Sequence, residues 1–227
     1  MTASHKFHET DFAARGSKFH SLFRYIAVSL AVPFIIILLT TTQSTLSYHE
    51  IFNDPASTIH FNPFMGLISM LGLFGWAAAA GMALLTYMVV RSRETALVRR
   101  FFLAAGLFTL LLLVDDAFML HEEILPYGFG IRERYVKIGY LAIAAAFGLG
   151  FFKILIRNNF SLLALAATFF AASFLFDNPA TMKAIGWWEN EFALFVVEDG
   201  SKFIGITLWL TYLAKTSVEH LSRLIER

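Results

Sequence analysis

The chain has 227 residues, of which 57% are hydrophobic and 15% are charged, and its formal net charge is +1. Soluble domains carry about a quarter charged residues, so this composition, with a mean hydropathy of +0.63, excludes an ordinary soluble domain. Cysteine is absent, which excludes disulfides, thiol catalysis and thiolate metal ligands. The near-neutral charge gives no indication of nucleic-acid binding. The composition therefore predicts an integral membrane protein with no nucleic-acid partner.

Apolar stretches of about 20 residues, the length that a helix needs to cross about 30 Å of hydrocarbon, recur along the chain. They cover residues 22–47, 64–90, 98–121, 134–156, 159–176 and 193–214. The first is too long for the apolar region of a signal peptide and no cleavage site follows it, so we expect it to be retained. The predicted fold class is all-α, a polytopic bundle of about six transmembrane helices. The bundle covers 22–214, between an N-terminal segment, 1–21, and a tail, 215–227.

Basic residues are concentrated in the connections on one side of this predicted bundle, and short basic loops stay in the cytoplasm. Arginine and lysine occur in the N-terminal segment, between the second and third spans, between the fourth and fifth, and in the tail. The remaining connections are richer in acidic and aromatic residues. Both termini are therefore predicted to be cytoplasmic, in a bacterial-type inner or plasma membrane.

Two acidic pairs lie inside the predicted spans: Asp115 and Asp116 in the third, and Glu198 and Asp199 in the sixth. A carboxylate at bilayer depth is costly unless it is protonated, paired, or facing water or a metal, so such residues mark functional sites. At about 1.5 Å per residue, the two pairs lie roughly 10 and 8 Å below the same outer boundary. Lys202 follows the second pair by one helical turn and can neutralise one carboxylate. We therefore predict that these five residues form one ion-binding or proton-binding site near the outer face, if the third and sixth helices touch.

A second group of candidate ligands, His121, Glu122 and Glu123, follows the first acidic pair. In a regular helix this group lies about 10 Å further along the axis than the aspartates, so the site is predicted to have two layers that no single ion can bridge. Imidazole and carboxylate groups bind divalent metals, so the outer layer is a predicted metal site. Further candidates for this layer are His49, His60 and Glu133.

Two short strings contain these residues. D-D-x4-H-E runs from Asp115 to Glu122, and E-D-x2-K-x2-G runs from Glu198 to Gly205. They resemble patterns in uncharacterised bacterial multipass membrane proteins, a resemblance that implies no activity. Nucleotide-binding glycine loops, HExxH and GxSxG are absent from the sequence, so the common enzymes that such motifs define are not indicated.

Three functions fit these patterns. The favoured one is transport of a cation or proton by the clustered carboxylates. The second is a membrane-embedded metal-dependent hydrolase that acts on a lipid-like substrate and uses a divalent metal as its cofactor. The third is a non-catalytic membrane subunit whose ion pairs are structural. The expected partners are the lipid bilayer and a small cation, proton or lipid-like ligand, and stripes of small residues in the second and fourth helices would also permit a homo-oligomer.

Overall fold

The computed structural model describes residues 64–187 and 196–226 without a break and, before them, residues 33–45 with single positions at 27, 30, 31, 47 and 62. Throughout these described residues the regular structure is helical and none of them forms a strand, which confirms the all-α class. The chain divides into two compact units, Met1–Met65 and Gly66–Arg227. In the first unit the described helix is α1, Pro33–Thr42, an apolar segment inside the first predicted span.

The second unit is a series of helices. They are α2, Leu67–Val90; α3, Ala96–Phe118; a π-helix, Leu120–Gly128; α4, Glu133–Gly150; α5, Phe152–Arg157; α6, Phe160–Phe176; α7, Pro179–Ala184; and α8, Glu198–Ile225. A long helix lies in each of the last five predicted spans. The fourth span is divided at Phe151 between α4 and α5, and α8 continues well beyond residue 214.

Among the described helices, α2 and α3 are long and apolar enough to cross a membrane. In the most apolar stretch of each, 28% of the residues are buried, whereas the core helix of a soluble protein is mostly buried. Large apolar side chains such as Phe74 and Leu107 lie exposed on the outer faces of these helices. Because extended apolar surface is unfavourable in water, these two helices indicate association with a membrane.

The second helix, α2, packs against both α3 and α8, and small residues allow the close approach. Ala79 and Ala83 are completely buried, and Gly72 and Gly75 face Ile206 of α8. A Cβ atom at Gly75 would lie 2.7 Å from Ile206 Cγ2, so a larger residue there would push the two helices apart. The small-residue stripe of this helix therefore serves packing within the chain.

Side chains of α3 and α8 meet along a line that we call the α3–α8 seam. The Asp116 carboxylate pairs with the Lys202 ammonium. Two helical turns away on each helix, Trp209 Nε1 donates a hydrogen bond to Thr109 Oγ1 at 3.0 Å. The step from Lys202 forward to Trp209 on α8 matches the step from Asp116 back to Thr109 on α3, so the two helices are antiparallel. The end of α3 and the beginning of α8 therefore lie together.

Candidate functional site

The helix α3 ends earlier than predicted, and this end determines where His121 lies. Met119 has φ 49° and ψ 45°, the left-handed conformation, and its N–H donates to the carbonyl of Asp115. This conformation costs a residue other than glycine roughly 1–2 kcal/mol. The π-helix Leu120–Gly128 follows immediately and contains Pro126. The prediction of a regular helix through residue 121 is therefore wrong, because the chain turns at Met119.

The turn at Met119 brings His121 back onto Asp115. The His121 backbone N–H donates to Asp115 Oδ1 at 3.0 Å, and Nδ1 of its ring lies 2.7 Å from Asp115 Oδ2. The hydroxyl of Tyr140, from α4, donates to Asp115 Oδ1 at 2.8 Å. Asp115 is only 6% exposed, and these partners replace the hydration that its carboxylate loses on burial. The two-layer arrangement is therefore wrong, because His121 and Asp115 are in direct contact.

Asp116 faces the α3–α8 seam and is held from two sides. Its Oδ1 pairs with the Lys202 ammonium, and its Oδ2 accepts a hydrogen bond from Trp76 Nε1 of α2 at 3.0 Å. Trp76 in turn stacks on Phe170 of α6, with ring centroids 5.6 Å apart and ring planes 7° apart. Side chains from α2, α6 and α8 thus fix the position of this carboxylate, and the third and sixth predicted spans meet here.

The second acidic pair begins α8. Acidic side chains in the first turn of a helix are stabilised by its positive N-terminal end, which gives both residues a structural role in addition to any functional one. Asp199 lines a small cavity of about 20 Å³ together with Asp116 and Lys202, enough for one water molecule. Glu198 lies within electrostatic range of Asp177. Neither Glu198 nor Asp199 forms a direct ion pair with another described residue.

Two charged residues that sequence reasoning missed, Lys137 and Asp177, belong to the same region. The Lys137 ammonium pairs with Asp177, and it lies 2.6 Å from Glu133 one turn away. Lys137 is also within electrostatic range of Glu122 and Glu198. A signal was present in the sequence, because a lysine inside the predicted fourth span is as costly in a bilayer as the acids of the third and sixth.

The charged side chains at this end of the helices form one group, which we call the acidic cluster. Its members are Asp115, Asp116, His121, Glu122, Glu133, Lys137, Asp177, Glu198, Asp199 and Lys202. The carboxylates outnumber the groups that can carry a positive charge. The cluster therefore carries a net negative charge unless it binds protons or a cation.

The residues predicted to bind a metal do not form a metal-binding group in the part of the chain that the structure describes. The ring nitrogens of His121 face Asp115 and, at 3.3 Å, Glu122 Oε1. Glu123 is exposed. The divalent metal stays a prediction without support from these contacts. The further candidates His49 and His60 lie outside the described residues.

His121 lies beyond the end of α3, and its contacts change its acidity. Hydrogen bonds to the carboxylates of Asp115 and Glu122 raise the pKa of His121 from 6.5 to about 9. The hydrogen bond to His121 also lowers the pKa of Glu122. A histidine whose pKa is higher in the folded chain stabilises the fold fully below its unfolded pKa. That stabilisation is lost as the pH rises through the folded value.

We therefore expect the free energy of unfolding in detergent to fall as the pH rises from about 6.5 to about 9, by up to about 3 kcal/mol. His121→Gln should remove this dependence, since glutamine does not titrate. Thermal denaturation of both proteins across this pH range measures the effect. The same pH dependence in wild type and variant would show that a different group is responsible.

A family model described as a domain of unknown function, DUF8692, matches residues 26–216. The chain belongs to the DUF8692 family. The match to DUF8692 includes both acidic pairs and every other member of the acidic cluster, so the cluster lies within the family's domain. Neither the curated proteins nor the solved structures contain a match to this chain.

Proposed function

We propose that this protein moves a proton or a small cation across a membrane through the acidic cluster. The observation that supports the proposal is the arrangement around Lys202, whose ammonium pairs with Asp116 while Asp199 shares the small cavity beside both. One ammonium between two carboxylates leaves a negative charge that a proton or cation can balance. Glu198 adds a further carboxylate at the beginning of the same helix. Uptake and release of one positive charge is the chemistry that this set of groups can perform.

The topology that we propose for this function has six spans, with both termini in the cytoplasm. Five of the spans are α2, α3, α4 with α5, α6 and α8, and the stretch 22–47, which contains α1, is the first. Basic residues such as Arg91 and Arg93 follow α2, at the end opposite to the acidic cluster. Since basic connections stay in the cytoplasm, the cluster would lie near the outer face.

The contacts favour transport over metal-dependent hydrolysis of a lipid-like substrate. A catalytic zinc has about three protein ligands and an open coordination position, whereas both ring nitrogens of His121 already face carboxylates. The cavity beside Lys202 has room for a water-sized species, and a separate cavity of about 200 Å³ is lined by Lys137 and Asp177 of the same cluster. The water-sized cavity beside the pair of Asp116 and Lys202 suits a small positive ion as the ligand.

Flux measurements in liposomes test this proposal. Purified protein is reconstituted with a pH-sensitive dye inside the liposomes, and a potassium gradient with valinomycin imposes the driving potential. We expect proton uptake well above that of protein-free liposomes, and an at least about tenfold decrease in Glu198→Gln, because an amide takes up no proton. The matched control is Glu226→Gln, at an exposed position just after α8, which should keep the wild-type rate. Sodium and potassium gradients, applied in parallel, identify the ion.

Failure of all three ions to cross faster than in protein-free liposomes would contradict the proposal. Elemental analysis of the wild type and of the Asp115→Asn, Asp116→Asn double variant then separates the other two functions. Stoichiometric zinc, iron or manganese that is lost in the double variant would favour the hydrolase. A metal-free wild type would favour the non-catalytic subunit.

A further inference from the structure

The α3–α8 seam continues, away from the acidic cluster, to a second pair of titratable residues. His220 of α8 has its Nδ1 3.6 Å from Glu94 Oε1, and the two side chains are 6% and 10% exposed. Glu94 belongs to the connection between α2 and α3, and Phe102 of α3 covers the His220 ring edge-on, with centroids 5.5 Å apart. An imidazole and a carboxylate this close, and shielded from solvent, interact more strongly than they would in water.

Further buried polar side chains lie on α8 near His220. Among the described residues, Ser217 Oγ and His220 Nδ1 are buried without a hydrogen-bonding partner, and the buried hydroxyls of Tyr212 and Thr216 interact with each other. A buried polar group left unpaired is destabilising, so such groups on one helix suit a bound polar ligand. At about 100° of rotation per residue, the four positions fall within about 140° of the α8 surface, a single face. Hydroxyl and imidazole groups both donate and accept, which suits water and protons as the ligand.

The two ends of the seam are separated by about the thickness of a bilayer. Lys202 and His220 are about 27 Å apart along α8 at 1.5 Å per residue. The hydrocarbon core of a membrane measures about 30 Å. Between them, Trp209 donates to the Thr109 hydroxyl, which donates in turn to the Ala105 carbonyl at 2.7 Å. The seam therefore has titratable pairs at both ends and polar side chains between them.

We infer that Glu94, His220 and the hydroxyls of Tyr212, Thr216 and Ser217 form a second proton-binding site, through which protons reach the membrane side opposite to the acidic cluster. This inference rests on the proposed function and specifies the proton as the transported ion. A proton binds to the imidazole, is passed on by exchange of hydrogen bonds between hydroxyls and bound water, and is taken up by a carboxylate of the acidic cluster. Each step moves one proton and changes no other covalent bond.

The charges around His220 determine when it holds a proton. Burial and Arg223 on the same helix both disfavour the charged imidazolium of His220. Glu94, from the connection between α2 and α3, and Glu219 on α8 favour the imidazolium. These opposing influences suit a group that both binds and releases a proton. Removal of the Glu94 charge should weaken proton binding to His220.

The test uses the full chain in liposomes, with proton flux measured from about pH 5 to about pH 8. We expect His220→Gln to reduce flux at least about tenfold, since glutamine does not titrate. Glu94→Gln should keep a measurable flux but shift the midpoint of its pH dependence down by about one unit, because the imidazolium loses its carboxylate. Glu226→Gln is the control for both changes. A purely structural role for the Glu94 and His220 pair would leave the midpoint in place.

The outcomes distinguish a failure of the second proton-binding site from a failure of the proposed transport function. A wild-type protein that conducts protons, with unchanged flux in His220→Gln and an unchanged midpoint in Glu94→Gln, would overturn the second site and leave the proposed function standing. A wild-type protein that conducts no protons would overturn both. Gel filtration and thermal denaturation report whether each variant is folded. If His220→Gln is not folded, the midpoint of Glu94→Gln decides alone.

Discussion

Asp116→Asn is expected to abolish flux through the membrane and to lower the free energy of unfolding by about 1–3 kcal/mol. Asparagine has nearly the same shape, but it cannot balance the Lys202 ammonium, with which Asp116 pairs. The Lys202 side chain is 36% exposed, so solvent stabilises part of the unpaired charge and the variant should still fold. Trp76 can continue to donate to the amide oxygen. Liposome flux and thermal denaturation in detergent measure the two effects.

A second substitution separates the functional role of Asp116 from its structural role. Lys202→Met in the Asp116→Asn background removes both charges, so we expect much of the lost stability to return, with a coupling energy of about 0.5–3 kcal/mol. Flux should stay absent, since the titratable carboxylate is still missing. The control is Lys153→Met, at an exposed position on α5, which should change neither quantity. Wild-type flux in Asp116→Asn alone would leave a structural ion pair as the better interpretation.

The meeting of Asp116 with Lys202 illustrates what the sequence makes predictable. Long apolar runs mark helices, and successive spans alternate in direction, so the end of the third and the beginning of the sixth fall on the same side. Charged residues near those ends can therefore be predicted to lie at a similar depth, even when the packing of the side chains is not known. The positions of the helices and the site at this end of α3 and α8 follow from these two rules.

The contact between Asp115 and His121 could not be predicted, because it depends on the backbone conformation of one residue. Helices commonly end at a glycine or asparagine in the left-handed conformation, and either residue at position 119 would have indicated a helix end. The residue there is methionine, which has no preference for that conformation. A regular helix was therefore the natural expectation, and it separated two groups that the structure brings into contact.

The hydrogen bonds from Trp76 and Tyr140 to the two aspartates could not be predicted from the local sequence either. Trp76 reaches Asp116 from a position 40 residues earlier, and Tyr140 reaches Asp115 from 25 residues later. In both cases the donor and the acceptor lie on different helices, so the periodicity of a single helix does not predict the contact. Which face of α2 turns toward α3 is decided by packing, such as the fit of Gly106 in α3 against Leu84 in α2. Such contacts require the three-dimensional structure.

Gly205→Ala is expected to weaken both the packing of α8 and the site, although Gly205 has no side chain of its own. A Cβ atom at this buried position would lie 2.8 Å from Phe170 Cδ1 and 2.9 Å from Cε1, too close for either ring atom to stay where it is. Phe170 stacks on Trp76, and Trp76 donates to Asp116. We expect the free energy of unfolding to fall by about 1–3 kcal/mol and flux to fall with it. Gly205→Leu should have a larger effect on both.

Gly81→Ala in α2 is the matched control, because a Cβ atom there would meet nothing within 4 Å. Alanine favours helix over glycine by up to about 1 kcal/mol, so this variant should be as stable as the wild type or slightly more so. Adding Phe170→Leu to Gly205→Ala relieves the clash but removes the ring that supports Trp76. We expect stability to recover in part while flux stays low.

A Gly205→Ala variant with wild-type stability would show that Phe170 moves aside at no cost. This result would contradict the inference that Gly205 controls the position of Asp116 through Phe170 and Trp76. If stability and flux fall together in Gly205→Ala but separate in the double variant, the final glycine of the E-D-x2-K-x2-G string has a physical explanation. Its missing side chain lets Phe170 stack on Trp76. The stacked indole then keeps its N–H directed at Asp116. A residue without chemistry of its own would in that case determine the position of the carboxylate on which the proposed transport depends.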